Sequence, residues 1–211
     1  MSEKIKKNKS SKSWVHEHIN DAYVNQAQKS GYRSRAAFKL LEIDAQENLF
    51  HGVNNVVDLG CAPGSWSQVA VQRVGETGRV IGVDLLEMHP LHGLNFIQGD
   101  FTEQATLDNL LQVINHKKVD LVISDMAPNL SGVKQVDQSR GAYLVELVLE
   151  FAKDHLKVGG DCLIKVFHGY EFDSLVKSAR EIFTKVIIRK PDASKSKSSE
   201  TYLLCKNKKQ L

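Results

Sequence analysis

Apolar segments of two lengths alternate along the chain from about residue 55 onward. Short runs rich in Val, Ile and Leu predict buried strands, and longer segments with apolar residues at helical spacing predict helices. The predicted strands are 55–59, 79–85, 95–100, 119–125, 162–167, 185–189 and 201–205. The predicted helices are 35–48, 65–74, 103–115, 137–156 and 172–183. Strands that alternate with helices favour an α/β domain with a mostly parallel sheet.

The last two predicted strands have no helix between them, so they are expected to pair as an antiparallel hairpin at one end of the sheet. Their connection, 190–200, is polar and is predicted to be flexible. Gly159-Gly160 is expected to end the long helix before the fifth strand. Ser34 is expected to cap the first helix of the series. On that helix the residues predicted to face the core are Ala37, Phe38, Leu40, Leu41 and Ala45.

The length of 211 residues fits one domain with short extensions. Residues 1–13 are predicted to be a disordered basic tail, 14–207 the folded domain, and 208–211 a second tail. We find no apolar run of about 18 residues that would indicate a membrane span, and no apolar stretch typical of a secretory signal. A cytoplasmic protein is therefore expected.

The chain turns sharply where its first predicted strand ends, in the segment V-V-D-L-G-C-A-P-G-S-W, 56–66. A ligand is expected there, because open α/β sheets bind ligands just past the carboxyl ends of their strands. Gly60 and Gly64 can adopt positive φ and allow a close approach to the backbone. The spacing matches neither the dinucleotide fingerprint nor a P-loop. Asp58 would repel a pyrophosphate but suits a ligand with hydroxyls and a positive group.

Acidic residues end four successive predicted strands: Asp58, Asp84, Asp100 and Asp125. Asp84 is placed to accept hydrogen bonds from a ribose diol, and Asp100 to meet an adenine. Crowded carboxylates raise one another's pKa unless a cation or donors compensate. A ligand with an ammonium, a sulfonium and several hydroxyls meets this requirement, whereas NAD(P) or ATP does not. Lys165, in an otherwise apolar fifth strand, is expected to lie beside Asp125.

The segments D-L-G-C-A-P-G-S-W (58–66) and D-M-A-P-N-L-S-G (125–132) resemble motifs of the FtsJ/RrmJ-type ribose 2′-O-methyltransferases. The resemblance covers about residues 30–206 and implies a single-domain, Rossmann-like fold with a mostly parallel seven-stranded sheet and a C-terminal antiparallel hairpin. It also implies S-adenosylmethionine as cofactor, with contacts through Gly64, Trp66, Asp84, Asp100 and Asp125. From the residues themselves Asp58 and Gly60 join this set. Trp66 could equally pack on the methionine moiety or on the sheet.

The same resemblance implies a catalytic Lys-Asp-Lys-Glu tetrad formed by Lys39, Asp125, Lys165 and Glu200. Lys165 is expected to deprotonate or orient the 2′-OH, and Asp125 to hold Lys165 in place and favour the sulfonium. Lys39 is expected to contact the phosphate or ribose of the target, and Glu200 to orient Lys39 or the substrate.

Charge is segregated along the chain. Residues 1–39 and 185–211 each carry a net charge of +6, and 40–184 carries −9. Two basic ends around an acidic body favour a polyanionic partner. The residues predicted to bind RNA are Lys29, Arg33, Arg35, Lys39, Lys190, Lys195 and Lys197.

The family resemblance implies that the substrate is a uridine of large-subunit (23S) ribosomal RNA, with the assembled 50S particle as the expected partner. A tRNA ribose methyltransferase and a catalytically inactive RNA-binding ribosome assembly factor are the alternatives. A monomer is the default expectation, because no unexplained apolar helix face stands out.

The three cysteines, Cys61, Cys162 and Cys205, are widely spaced, and the eight histidines show no ligand spacing. Free thiols and no metal site are therefore expected. Cys61 is interpreted as a small packing residue of the ligand loop, although a catalytic thiol is conceivable there.

Overall fold

The computed structural model describes residues 21–195 and 198–211, and a seven-stranded sheet with helices on both faces forms its centre. The helices are α1 (Ala22–Lys29), α2 (Ala36–Glu47), α3 (Ser65–Val74), α4 (Gln104–Val113), α5 (Lys134–His155) and α6 (Phe172–Ile182). The strands are β1 (Asn55–Leu59), β2 (Arg79–Asp84), β3 (Leu94–Gln98), β4 (Val119–Ser124), β5 (Leu156–Phe167), β6 (Phe183–Arg189) and β7 (Glu200–Lys208). The predicted alternation of strands and helices is confirmed.

The strand order is β3-β2-β1-β4-β5-β7-β6. Strands β1 to β5 pair in parallel, and β7 pairs antiparallel with both β5 and β6. The predicted C-terminal hairpin is thus confirmed, with the last strand inserted beside β5 rather than at the outer edge. This insertion returns the start of β7 to the edge where the parallel strands end, which we call the carboxyl edge.

Two apolar layers hold the helices to the sheet. One layer lies under α4, α5 and α6 and includes Leu110, Val148 and Leu175. The other lies under α2 and α3 and includes Leu40 and Val69. The near-continuous burial of β1 and β4 explains why these strands read as apolar runs rather than as an alternating pattern.

The buried face of α2 differs from the prediction. Ala37 and Leu40 are buried as expected, but Ile43 and Asp44 complete the face, whereas Ala45 is exposed and Leu41 only half-buried. Asp44 can be buried because its carboxylate is paired on both oxygens: Arg73 Nε lies 2.6 Å from Oδ2, and the Phe50 N–H donates to Oδ1 at 3.2 Å. The predicted apolar stripe therefore misses an acid whose partners come from elsewhere in the chain.

The helix before the fifth strand ends within one residue of its predicted end, but the glycine pair does not end it. Helix α5 ends at His155 and β5 begins at once with Leu156, so Gly159 and Gly160 lie inside the strand. Val119 pairs with Leu156 and Leu121 with Asp161, which leaves extra residues in β5 at this point. Gly159 has φ +80°, a value that glycine tolerates in such an irregularity. The glycine pair forms a bulge rather than a helix stop.

The segment that connects β6 to β7 was predicted to be flexible, but its described part is packed against α2. Pro191, Ala193 and Ser194 are buried. The Ala193 N–H donates to both carboxylate oxygens of Glu42 at 3.2 Å, and Arg35 donates to the Ala193 carbonyl. These contacts cannot be read locally because α2 lies about 150 residues away in sequence.

The chain ends also differ in part from the expectation. Lys208 belongs to β7, and the Lys209 N–H donates to the Ile182 carbonyl at 2.9 Å, so the sheet extends past residue 207. The predicted tail 1–13 lies outside the described residues. Among the described residues, no helix has the length and apolar character needed to cross a membrane.

Candidate active site

The turn after β1 adopts the left-handed backbone that its glycines permit. Gly60 has φ +77° and Gly64 has φ +105°, and the Gly60 N–H donates to the Val83 carbonyl at 2.8 Å. A side chain at Gly60 would overlap Met126 of the β4–α5 loop. The two sequence motifs therefore lie in direct contact, and Gly60 is needed for that contact as well as for the turn.

Arg33 braces this turn from outside. Its guanidinium donates to the Pro63 carbonyl and to the Pro90 carbonyl, each at 2.8 Å, and its backbone N–H donates to Gln68 Oε1 at 2.8 Å. A Cβ at Gly64 would come within 2.7 Å of Arg33 Nη1. These contacts make Arg33 a support of the ligand turn, and the RNA-binding role that the sequence predicts for it stays a prediction.

Asp58 is fully buried under the turn. Ser67 Oγ donates to its Oδ2 at 2.6 Å, and its Oδ1 has no hydrogen-bond partner. Burial raises the pKa of the Asp58 carboxyl to about 7, the Ser67 hydrogen bond opposes this shift, and the charges of Asp125 and Asp84 add to it. The buried oxygen without a partner marks a position where a donor or cation from a ligand would be stabilised.

Asp84 and Asp100 lie next to the turn at the ends of β2 and β3. Asp84 accepts hydrogen bonds from the N–H groups of Ala62 and Leu86, each at 2.8 Å. The Gly99 N–H donates to the Asp84 carbonyl at 2.9 Å, which places Asp100 directly beside Asp84. Asp100 Oδ1 accepts from the Thr102 N–H and Oγ at 2.9 and 2.7 Å. Both carboxylates therefore also stabilise the loops around them through these hydrogen bonds.

Trp66 packs in the core, which agrees with one of its two predicted positions, the one on the sheet. Its side chain is 2% exposed, its Nε1 donates to the Ala36 carbonyl at 2.8 Å, and its ring centroid lies 5.6 Å from that of Tyr202. The cofactor contact that the family resemblance implies for Trp66 stays a prediction. The ring packs between α2 and the sheet because that position satisfies both its apolar body and its N–H.

The four residues of the predicted tetrad meet at the carboxyl edge as two ion pairs. Lys165 Nζ donates to the Asp125 carbonyl at 2.5 Å and lies 3.1 Å from Asp125 Oδ1. Lys39 Nζ lies 2.7 Å from Glu200 Oε1. The Lys165 side chain is 8% exposed, so β5 holds it in a nearly desolvated position.

Charge within the tetrad is balanced across the two pairs. Burial raises the pKa of Glu200, but the charge and hydrogen bond of Lys39, followed by Lys165 and Ser194, outweigh it and lower the pKa below its usual value. Ser194 Oγ donates to Glu200 Oε1 at 3.1 Å, which links the pair to the packed β6–β7 connection. The arrangement keeps two ammonium groups and two carboxylates together in a partly dry site.

Tyr202 is a site residue that the sequence reasoning missed. Its hydroxyl donates to Asp125 Oδ1 at 3.0 Å, and Lys39 Nζ lies 5.9 Å from its ring centroid. Burial, then the charge of Asp125, raises the pKa of Tyr202 well above its usual value, so the hydroxyl keeps its proton. One signal was available: in a strand, residues 200 and 202 face the same side.

The other predicted RNA-binding residues fall into distinct settings. Lys29 is exposed at the end of α1. Arg35 pairs with Asp21 and stacks over the Tyr23 ring at 5.4 Å, so it is largely occupied within the protein. Lys190 Nζ donates to the Ser198 carbonyl at 2.8 Å, and Lys195 is exposed in the same connection. Lys197 lies outside the described residues.

The cysteines are buried thiols. Cys61 Sγ lies 3.8 Å from Met88 Sδ, and a Cβ at Gly82 would come within 2.8 Å of that sulfur. Burial raises the pKa of the Cys61 thiol far above its usual value. Cys61 is thus a packing residue of the turn. In the described part of the chain, no group of three His, Cys, Asp or Glu side chains is arranged to hold a metal ion.

The turn and its acids fit S-adenosylmethionine. The orphan oxygen of Asp58 suits an ammonium or a hydroxyl, and Asp84 and Asp100 offer acceptors to ribose hydroxyls and an adenine amine. The acidic rim disfavours phosphates. Asp58, Gly60, Gly64, Asp84, Asp100 and Asp125 are the residues that would surround the cofactor, whereas Trp66 is only 2% exposed.

Comparisons with known proteins point to one family. The model of FtsJ-like methyltransferase matches residues 32–208. Curated relatives named ribosomal RNA large subunit methyltransferase E occur in Methylobacillus flagellatus and in an Azoarcus species. Each is 56% identical over 200 residues, which cover 95% of this chain and 97% or 98% of the relative.

Solved structures agree with this comparison. A Plasmodium falciparum protein provisionally described as a ribosomal RNA methyltransferase matches with a TM-score of 0.74 and 30% identity, covering 84% of this chain and 98% of the other. Human methyltransferase-like protein 13 in complex with SAH matches with a TM-score of 0.55 and 13% identity, covering 82% and 79%, and shows a shared fold alone. Because the family model spans nearly the whole described chain, this protein belongs to the FtsJ-like methyltransferases.

Proposed function

We propose that this protein transfers a methyl group from S-adenosylmethionine to the 2′-OH of a uridine ribose in large-subunit (23S) ribosomal RNA, within the assembled 50S particle. The observation that carries the proposal is the Lys165–Asp125 pair at the carboxyl edge, in contact with the loop that closes over the glycine turn. The names of relatives 56% identical to this chain supply the substrate class.

The reaction needs a hydroxyl oxygen held in line with the methyl donor. When bound, S-adenosylmethionine supplies an electrophilic methyl group on a sulfonium. Positioning of reactants contributes about 7–11 kcal/mol to such reactions, whereas a general base contributes about 10²–10⁴-fold in rate. Orientation by fixed side chains is therefore the larger share of the catalysis.

Lys165 is the group that steers the target hydroxyl. An ammonium has three donors, and two of them are directed to the carbonyl and carboxylate of Asp125. The remaining donor is available to the ribose oxygen. Tyr202 fixes Asp125 from the other side through its hydroxyl. Lys165 thus acts as an orienting residue, and Asp125 and Tyr202 together fix its position.

Lys39 and Glu200 form the substrate side of the site. Glu200 holds the Lys39 ammonium at 2.7 Å, and Ser194 holds Glu200. Lys39 is therefore available to contact the ribose or phosphate of the target nucleotide. All four tetrad residues come from one chain, which supports action as a monomer. The cytoplasm, where ribosomal particles reside in bacteria, is the proposed compartment.

A methyl-transfer assay tests the proposal and its alternatives. Purified protein is incubated with labelled S-adenosylmethionine and with unmethylated 50S subunits, protein-free 23S RNA or tRNA, and the ribose methyl is mapped. We expect methylation of one uridine in 50S subunits and little in tRNA. Transfer to tRNA alone would replace the substrate. Binding to 50S subunits without transfer to any of the three RNAs would favour an inactive assembly factor.

A further inference from the structure

The loop between β5 and α6 presents an aromatic side chain almost completely to solvent. Tyr170 is 96% exposed, the highest value among the large hydrophobic and aromatic residues in the described part of the chain. The loop itself is held at both ends, because the His168 N–H donates to the Ser199 carbonyl at 3.0 Å and the Phe172 N–H to the Gly169 carbonyl at 3.2 Å. A fixed loop that displays an unpacked ring suits a stacking partner from outside.

A small cleft with room for about one water molecule lies beside Tyr170, between α5 and α6. Aromatic rings and small residues form its walls, and the cleft is lined among others by Phe167, Phe172, Gly141, Tyr170 and Gln138. A Cβ at Gly169 would come within 2.8 Å of Gln138 Nε2, so the loop packs closely against α5. A nucleobase is too large to enter this cleft, so a base bound here would stack on the exposed Tyr170 ring and lie over the mouth of the cleft.

Phe167 connects the wall of the cleft with the catalytic site. Phe167 lies two residues after Lys165 in β5, and its ring centroid is 5.9 Å from Lys165 Nζ. Phe167 also pairs with Glu200 across the β5–β7 ladder. A strand whose ribose reaches Lys165 would therefore pass its neighbouring base over the Phe167 side of the cleft.

The charges around the cleft favour a base over a phosphate. Glu171 lines the cleft, and its carboxylate accepts from Ser139 Oγ at 3.4 Å, which leaves a negative group at the wall. His168 is stacked on Phe172 with centroids 4.3 Å apart, which extends the aromatic surface beside the loop. Sequence-tolerant recognition of single-stranded RNA uses such aromatic surfaces.

We propose that Tyr170, at the mouth of this cleft, is a stacking site for an unpaired base of the RNA substrate, adjacent to the methylated nucleotide. This proposal rests on the proposed function, since it places the target ribose at Lys165. It assigns to the β5–α6 loop a role in substrate binding that neither the glycine turn nor the tetrad provides.

The test compares Tyr170→Ala with Tyr170→Phe, which keeps the ring, and with Tyr143→Ala as matched control. Tyr143 is 49% exposed on α5, but it lies two residues beyond Gly141 and hence about 200° around the helix from the cleft. The measured quantities are the Kd of protein-free 23S RNA, the KM of unmethylated 50S subunits, and the Kd of S-adenosylmethionine.

Loss of one base stack should weaken RNA binding about 5- to 160-fold. We expect this loss in both RNA measurements for Tyr170→Ala. For Tyr170→Phe and Tyr143→Ala we expect values within about twofold of wild type. The cofactor Kd should be unchanged in all three variants, which also shows that they are folded. Full RNA affinity in Tyr170→Ala would overturn the proposal. A defect seen with 50S subunits but not with protein-free RNA would also overturn it, because the loop would then contact a ribosomal protein.

The two proposals fail separately. If wild-type protein transfers methyl groups to 23S RNA and Tyr170→Ala binds it normally, only the stacking site is lost. If wild-type protein transfers no methyl group to RNA, the proposed function is lost, and the direct RNA-binding measurement still decides whether Tyr170 stacks on a base.

Discussion

Asp58 is completely buried and one of its carboxyl oxygens has no hydrogen-bond partner. Its raised pKa therefore makes the stability of the protein depend on pH. The pKa of its carboxyl in the folded protein, about 7, lies above the usual value of 3.8. A group whose pKa is raised by folding binds its proton more tightly in the folded state. The unfolded chain then binds fewer protons between these two values, and stability from this group rises as pH falls from about 7 toward 4.

Asp58→Asn should remove this component of the pH dependence. Asparagine is neutral and similar in shape, and its oxygen can still accept from Ser67 Oγ. We expect the free energy of unfolding of the variant minus that of wild type to be larger at pH 8 than at pH 5.5. Urea unfolding of the ligand-free proteins at both pH values measures this difference. A difference between the two proteins that does not change with pH would contradict the raised pKa.

Lys165 is the residue on which turnover depends most. Lys165→Ala should lower kcat by at least about 10²-fold, because the hydroxyl loses its orienting group. The cofactor Kd, measured by calorimetry, should stay within about threefold of wild type. Lys157→Ala is the matched control, because Lys157 lies in the same strand and is paired with Asp120 at 2.5 Å. Turnover of Lys165→Ala within a few-fold of wild type would remove Lys165 from this role.

At the scale of elements, the segment before α2 and the turn after β1 behave as one unit. The Arg33 guanidinium joins them through the Pro63 carbonyl, and it also donates to the Pro90 carbonyl in the β2–β3 connection. These hydrogen bonds hold the backbone near Gly64, where the cofactor is expected. Arg33 is therefore a positioning residue of the cofactor site.

Arg33→Ala should raise the Kd of S-adenosylmethionine by roughly tenfold in the absence of RNA, since charge-assisted hydrogen bonds to the turn are lost. Arg33→Lys should not restore the affinity, because one ammonium cannot replace the fork that reaches both carbonyls. Calorimetric titration checks both variants, with near-wild-type thermal unfolding as the control for folding. An unchanged cofactor Kd combined with weaker RNA binding would instead support the RNA-binding role predicted from sequence.

The packed β6–β7 connection shows how two distant elements complete the site. Arg35 and Glu42 on the α2 side hold the backbone of Ala193, and the neighbouring Ser194 then orients Glu200. Lys39, on the same helix, faces Glu200. Helix α2 thus supplies Lys39 and, through the backbone of the connection, helps to position Glu200.

At the scale of the whole molecule, only some of the basic residues in the C-terminal segment lie near the active site. Lys190 and Lys195 lie in the connection at the carboxyl edge. Lys185 and Lys208 lie at the opposite edge, because Lys208 ends the antiparallel strand and pairs with Phe183 at the start of β6. The basic C-terminal segment therefore divides between two ends of the sheet, and only one of them can meet an RNA bound at the tetrad.

RNA affinity should consequently fall steeply with salt, and the two groups of lysines should differ in their share. For a single-stranded contact, each phosphate neutralised adds about −0.7 to the slope of log K against log salt. We expect Lys190→Ala and Lys195→Ala each to reduce the magnitude of the slope by about 0.7, and Lys185→Ala to leave it unchanged. Titrations of protein-free 23S RNA over a range of salt concentrations measure this. Equal slopes in all variants would rule out the connection as a phosphate contact.

Local patterns in the sequence determined the strands and helices, the glycine turn, and the acids that end β1 to β4. Periodicity and turn chemistry depend on residues close together in the chain, and parallel strands bring their carboxyl ends to one edge. The meeting of Lys39, Asp125, Lys165 and Glu200 followed from motif resemblance and agrees with the structure.

Only the tertiary structure decided which side chains support that site. The insertion of β7 beside β5, the burial of Trp66, the brace formed by Arg33 and the hydroxyl of Tyr202 on Asp125 all depend on packing between segments 30 or more residues apart. Such contacts form where two distant segments bury apolar surface and satisfy hydrogen bonds together. The residues next to each segment in the sequence do not determine which distant segment it meets.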